Sequence, residues 1–174
     1  MLLEHMGTDI KVRIRPYKDM DKDSIFSWIN DEEVFYLWSA GVLGGYPLSE
    51  EGFQKTAEIM RFTALYDMEP CGFFTARNPH ESADELRLGF VLIDPDKRDK
   101  GIGSEMMRKA LRFCFEIYGA ECVSIAVFED NTAAYRCYLR AGFVLTGNRE
   151  IYRINGRERV AVVLECSKRD FLVS

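Results

Sequence analysis

The chain reads as an α/β protein of the α+β kind, with one mixed, mainly antiparallel sheet of about seven strands flanked by about four helices. Three observations lead there. Two strand-length apolar runs, at 86–93 and 123–128, are each followed at once by a segment of helical periodicity. Elsewhere strands follow one another directly, at 61–66 with 72–76 and at 144–152 with 158–166. The last pair flanks Asn155-Gly156, a strong two-residue hairpin signal. Strands that alternate with helices only in mid-chain imply a mixed sheet.

The elements follow in order. Residues 10–15 alternate apolar and basic side chains, a half-exposed strand ending at Pro16. A helix is expected over 21–30, with Ile25, Trp28 and Ile29 on one face and Asp21 or Asp23 as cap. A short aromatic segment at 34–38 precedes a loop at 41–47, whose glycines and proline suit no regular element. Ser49, with Glu50 and Glu51 behind it, starts a helix whose apolar face is Phe53, Ala57 and Met60. The hairpin of 61–66 and 72–76 turns through Met68, Glu69 and Pro70, and 78–84 is a polar turn into the strand that stops at Asp94-Pro95. Ile102, Met106, Ala110, Phe113, Cys114 and Ile117 then recur at three- and four-residue spacing, one buried helix face. A last helix runs on from Asn131.

A length of 174 residues suits a single domain, placed at 9–170 and large enough to bury a core without disulfides. The net charge of −5, with no basic stripe, argues against a nucleic-acid binder. Cys71, Cys114, Cys122, Cys137 and Cys166 are scattered and mostly lie in apolar runs, so they read as reduced core residues. His5 and His80 make no metal-ligand spacing with them, and no metal is expected. Met1-Leu2-Leu3 gives way at once to Glu4 and His5, so neither a signal peptide nor a membrane span is expected, and the cytoplasm is the expected location.

The most informative stretch is Arg98-Asp99-Lys100-Gly101-Ile102-Gly103, between the strand at 86–93 and a helix. A glycine-bearing loop there leaves backbone N–H groups pointing outward at a helix N-terminus, an anion site suited to phosphate. It is not a Walker loop, since Ser104 follows Gly103 with no lysine between. Nor is it a dinucleotide fingerprint, because Met106 stands where the third glycine belongs. About thirty residues on, after a second strand, comes Asn131-x-x-Ala134-x-x-x-Tyr138-x-x-x-Gly142-Phe143. In this order and spacing the two motifs resemble the GNAT superfamily of acyl-CoA-dependent N-acetyltransferases. The resemblance covers nearly the whole chain, most securely 85–143. Trp38-Ser39 with Tyr46-Pro47-Leu48-Ser49 is similar to the branch of ribosomal-protein N-terminal acetyltransferases and their small-molecule relatives.

The resemblance implies acetyl transfer from acetyl-CoA to a primary amine, on a small molecule or a protein N-terminus, by direct attack. The protein would act as monomer or homodimer, with neither nucleic acid nor membrane as partner. In that reading Arg98, Asp99, Lys100, Gly101, Ile102, Gly103 and Ser104 hold the pyrophosphate. The strand edge at Val91, Leu92 and Ile93 pairs with the pantetheine amides where the strands at 86–93 and 123–128 splay. Asn131 contacts the cofactor, although an N-cap role is equally good local chemistry. Tyr138 matches the family's general acid; a phenol, with pKa near ~10, can protonate a nascent thiolate, near ~8.5, without ionising first. Many family members carry a glutamate base on the strand before the loop, but here Arg87 stands near that position, with Glu85 two residues earlier on the same face. Glu85, a residue from another element, or water acting on a low-pKa amine are the alternatives. The acceptor is expected among Trp28, Phe35, Tyr36, Trp38 and Tyr46, with the acids Asp31, Glu32, Glu33, Glu50 and Glu51 beside them, because aromatic faces plus carboxylates suit a cationic amine. The rival reading is a non-catalytic acyl-CoA-binding module of the same fold, favoured by Arg87 and opposed by Tyr138.

Overall fold

A computed structural model describes residues 10–82 and 84–173, so His5 and residue 9 lie outside the described residues. Seven strands form one sheet in the order β1 (Val12–Pro16), β2 (Met60–Tyr66), β3 (Glu69–Arg77), β4 (Glu85–Ile93), β5 (Cys122–Phe128), β7 (Arg157–Ser167), β6 (Val144–Ile154). Neighbours run antiparallel except β4 and β5. That parallel pair is held only where Glu85, Leu86 and Arg87 meet Cys122, Val123 and Ser124. Beyond Arg87 the two strands part, as the sequence reading expected.

The sheet is covered on both faces, which is why β3 is buried along nearly its whole length. On one face α1 (Lys22–Ser27), α2 (Glu32–Ser39) and α3 (Glu50–Gln54) pack Ile25, Trp28, Phe35, Trp38 and Phe53 against Phe73, Leu92 and Phe128. On the other, α4 (Ile102–Arg112) and α5 (Thr132–Ala141) pack Ile102, Met106, Ala110, Tyr138 and Ala141 against Phe74, Leu86, Leu88 and Ile125. A short α6 (Lys168–Val173) closes the chain and brings Phe171 against Phe115.

Several sequence expectations shift. The aromatic segment at 34–38 is helical: the Asp31 carboxylate caps α2 by accepting the Val34 N–H at 2.8 Å. The helix expected over 21–30 stops at Ser27 and is not capped by Asp21. The Asp21 carboxylate is buried and committed elsewhere, accepting from both Arg15 terminal nitrogens at 2.7 and 2.8 Å and from Thr63 Oγ1 at 2.7 Å. The Ser49 helix ends at Gln54, leaving Ala57 exposed and Met60 in β2. The β2–β3 turn is Asp67-Met68, both left-handed, which draws Glu69 and Pro70 into the strand. Ile117 is 74% exposed because the chain widens into a π-helical stretch at Phe113–Tyr118, which takes it off the buried face.

Candidate active site

The loop after β4 has the geometry its sequence demands. Asp99 and Gly101 are left-handed, at φ 60 and 77. Gly101 is the N-cap of α4, and a Cβ on it would sit 2.9 Å from Ile10 Cδ1. With no side chain to accept them, the first-turn N–H groups of α4 are left to a ligand. A Cβ on Gly103 would lie 3.1 Å from Cys137 Sγ, so α4 and α5 approach closely just behind the loop.

From this loop a cavity of about 820 Å³ runs along the opened seam between β4 and β5. Its floor is the strand edge from Arg87 to Ile93 with Ile125, Ala126, Val127 and Phe128 opposite. Its sides are Asn131, Ala134, Cys137, Tyr138 and Arg140 of α5 and Val34, Leu37 and Trp38 of α2. Past Arg87 this edge of β4 has no pairing partner in β5, so its backbone groups are available to an extended ligand. A bulge sharpens the edge. Phe73 pairs with Leu92 but Thr75 with Gly89, so Phe90 and Val91 together oppose Phe74. Phe90 sits at φ 46, a costly region for a bulky residue, and Trp38 Nε1 holds it by donating to its carbonyl at 2.8 Å.

Tyr138 is 5% exposed and lies in the cavity wall, its ring against Phe143. Its hydroxyl has no hydrogen-bond partner among the described residues. Burial pushes the phenol well above the usual tyrosine range, so it stays protonated and able to donate. At the end of the cavity away from the loop stands a side-chain network. Arg87 donates from both terminal nitrogens to Glu150 at 2.7 Å, and the Tyr152 hydroxyl donates to the same carboxylate at 2.7 Å. The Arg87 hydrogen bonds hold the Glu150 carboxyl below the usual glutamate range against its partial burial.

Of the residues expected at the site, Val91, Leu92, Ile93, Arg98, Asp99, Gly101, Gly103, Ser104, Asn131, Trp38 and Tyr138 line this one cavity. Asn131 does so while capping α5, its side chain accepting the Ala134 N–H at 3.3 Å. Others do not reach it. The Ile102 side chain is core, and Lys100 turns back to the Asp96 carbonyl at 3.0 Å. Glu85 is not part of the wall: it sits at the closed end of the seam, accepting from Ser124 Oγ at 3.1 Å with His80 at 3.6 Å. Trp28 is buried in the α1–α3 core, Tyr36 reaches toward Asn155, and Tyr46 packs on Phe35 outside the cavity.

The sequence reading missed Arg140, which donates to Ser104 Oγ at 3.3 Å and adds a cation beside the loop. Its signal was its spacing, three residues after Cys137 and two after Tyr138 on one helix. It also missed Glu150 and Tyr152, which only the folded sheet brings to Arg87. Among the described residues no cluster of His, Cys, Asp and Glu could hold a metal. Burial raises the thiols of Cys71 and Cys166 to about 11 and that of Cys114 to about 12, so these read as inert core groups.

The fit to a phosphate-bearing thioester is good: bare helix N–H groups and two arginines at one end, a free strand edge along the middle, and a buried phenol donor beside it. Comparison with known proteins agrees. A Bacillus subtilis (strain 168) protein described as uncharacterized N-acetyltransferase YoaA is 25% identical over 151 residues, 77% of this chain and 80% of that protein. The spermine/spermidine N(1)-acetyltransferase of the same strain is 28% identical over 76 residues, 44% of this chain and half of its own length. Among solved structures, spermidine N-acetyltransferase from Vibrio cholerae, in complex with CoA and spermine, superposes with a TM-score of 0.76 over 92% of this chain and 98% of that one, at 20% identity. The acetyltransferase (GNAT) family model matches residues 15–143, well over half of the sequence, and the chain belongs to that family.

Proposed function

We propose that residues 9–170 form one catalytic domain that transfers the acetyl group of acetyl-CoA to the primary amine of a small molecule, in the cytoplasm, as a monomer or homodimer. The single observation that carries this reading is the continuity of the cavity. One space joins the phosphate loop, the open β4 edge, the Tyr138 phenol and a partly apolar chamber under α2. Polyamine acetyltransferases are among the chain's relatives, which supports an amine acceptor.

The residues divide the work by position. The N–H groups that open α4, with Arg98 and Arg140, hold the phosphates. Asn131 and the edge at Val91, Leu92 and Ile93 hold the arm that carries the thioester. The neutral amine attacks the thioester carbonyl carbon, the C–S bond breaks, Tyr138 donates its proton to the departing thiolate, and the proton shed by the newly acylated nitrogen passes through water and restores the phenol. No side chain is given the role of base. The one carboxylate in the wall, Asp99, belongs to the phosphate loop, and Glu85 lies outside the wall, hydrogen-bonded by Ser124. The acceptor therefore enters as its neutral fraction. This gives kcat/KM for the amine a rise with pH that continues toward the amine's own pKa, unlike the early plateau that an enzyme base would impose.

The test is release of free coenzyme A thiol from acetyl-CoA by the purified protein, with and without a panel of primary amines. Amine-dependent release with a mass-confirmed N-acetyl product supports the reading. Tight CoA binding with no turnover of any amine supports the non-catalytic module instead.

A further inference from the structure

The charged side chains in the cavity wall are Arg77, Arg87, Arg98, Arg140 and Asp99, a cationic lining in a chain whose net charge is −5. Arg98, Arg140 and Asp99 lie at the loop end, where phosphates account for the positive charge. Arg77 and Arg87 lie at the other end. Arg87 precedes Ile93 by six residues along β4, about 20 Å of strand, so the two groups of arginines cannot share one ligand group. The two arginines are direct cross-strand partners in the β3–β4 register, with side chains on the same face. Like charges placed so are destabilising unless something neutralises them. Glu150 meets them unequally: both of its oxygens are taken by Arg87, Tyr152 adds a third hydrogen bond, and Arg77 feels that carboxylate only through space. Glu85, on the same face, accepts from Ser124. Arg77 has no hydrogen bond or ion pair with any described residue, and it faces the chamber where the acceptor must lie.

We propose that Arg77 is the specificity determinant of the acceptor site, receiving a carboxylate carried on the amine substrate, so that the acceptor is an amino acid and not a polyamine. This rests on the acetyltransferase reading above. A guanidinium presents a planar fork that matches a carboxylate. The Arg87–Glu150–Tyr152 network fixes the floor beside it, and Val34, Leu37 and Phe128 leave room for an apolar substituent. A polyamine would have to set its own positive charges against Arg77 with no carboxylate of the wall at that end to meet them.

The experiment measures acetyl-CoA thiol release with the standard L-amino acids, their carboxamides and spermidine as acceptors. Each amide keeps the side chain and deletes the negative charge; because this also lowers the pKa of the α-amine, acid and amide are compared per concentration of neutral amine. The expected result is a best acid that exceeds its own amide and spermidine in kcat/KM by at least tenfold. Arg77→Gln should then raise the KM for that acid roughly 10- to 100-fold, the worth of a charge-assisted hydrogen bond. The same variant should leave the amide and the KM for acetyl-CoA unchanged, and Arg77→Lys should recover part of the loss. Arg77 is exposed, and an unchanged melting temperature in both variants separates this effect from misfolding. Spermidine or the amides turned over as well as the acids would overturn the proposal while leaving the acetyltransferase reading intact. Equal losses for acid and amide in Arg77→Gln would overturn it too. Absence of turnover with every amine, with CoA still bound, would overturn the acetyltransferase reading and this proposal with it.

Discussion

The two ends of the cavity are built by different means. The phosphate end is made from one continuous stretch, and its donors are mostly backbone: a left-handed glycine, a bare helix N-terminus and a strand edge released from its partner. The acceptor end is made from side chains brought together over long distances in sequence. Arg87 meets Glu150, and Trp38 meets Phe90. Backbone donors serve any ligand with the same phosphate, so that end can be fixed by a short motif. Side-chain pairs can be changed one at a time, so that end can be refitted to a new acceptor without disturbing the first.

Substitutions can break or sharpen this contrast. The largest effect is expected between the two ends, at Tyr138. Tyr138→Phe keeps the ring against Phe143 and deletes the only donor the mechanism assigns to the thiolate. Its kcat should fall roughly 10²- to 10⁴-fold, with little change in the KM for acetyl-CoA. A lost cofactor affinity with normal kcat would make Tyr138 a packing residue. At the acceptor end, Arg87→Met leaves the Glu150 carboxylate without its partner and should cost about 1–3 kcal/mol of stability in urea denaturation, toward the low end because Glu150 is one-third exposed. Glu150 titrates below its ordinary value in the folded protein, so its stabilising contribution is complete above the unfolded glutamate value of ~4.3 and fades as pH falls through the lower folded value. The stability gap between the protein and Arg87→Met should therefore be full at pH 7 and narrow only below about pH 4. A gap that persists unchanged into strong acid would show that the pair's charge is not its source. Trp38→Phe deletes the donor to the Phe90 carbonyl and should destabilise by about 1 kcal/mol, with a modest fall in kcat as the bulge relaxes. The smallest effect is expected at Glu85. Glu85→Gln should leave the pH profile of kcat/KM in place, whereas a profile flattened by this variant would restore Glu85 as the base.

The same contrast explains what could be read from the sequence. Gly101, Gly103, Asn131 and Tyr138 belong to local patterns in which spacing alone puts them on a turn or one helix face, and the structure gathers them around one cavity. The splay of β4 from β5 was expected only through the family resemblance, and the two strands do pair only over Glu85, Leu86 and Arg87. The acceptor side was not. Trp28, Tyr36 and Tyr46 are aromatic and near Trp38 in sequence, yet only Trp38 lines the cavity: Trp28 ends α1 in the core, Tyr36 lies on another face of α2 than Val34, Leu37 and Trp38, and Tyr46 sits in a loop against Phe35. Glu85 and Arg87 share a strand face, but where the parallel pairing ends decides which of them meets the cavity, and that is a property of the folded sheet. Arg77, Glu150 and Tyr152 carried no local signal at all.

The central claim is that the loop at Gly101–Gly103 and the opened β4 edge hold coenzyme A, and calorimetric titration of the full chain tests it most directly. The wild-type protein should bind coenzyme A at one site per chain and melt at a higher temperature when it is present, since only the native state has the site. Gly103→Leu forces a side chain between α4 and α5 at the point where Cys137 Sγ already stands 3.1 Å from the position a Cβ would take. This variant should fold, lose affinity for coenzyme A by roughly tenfold or more, and show little of the melting shift. Undiminished binding in Gly103→Leu, or no binding by the wild-type protein, would contradict the account.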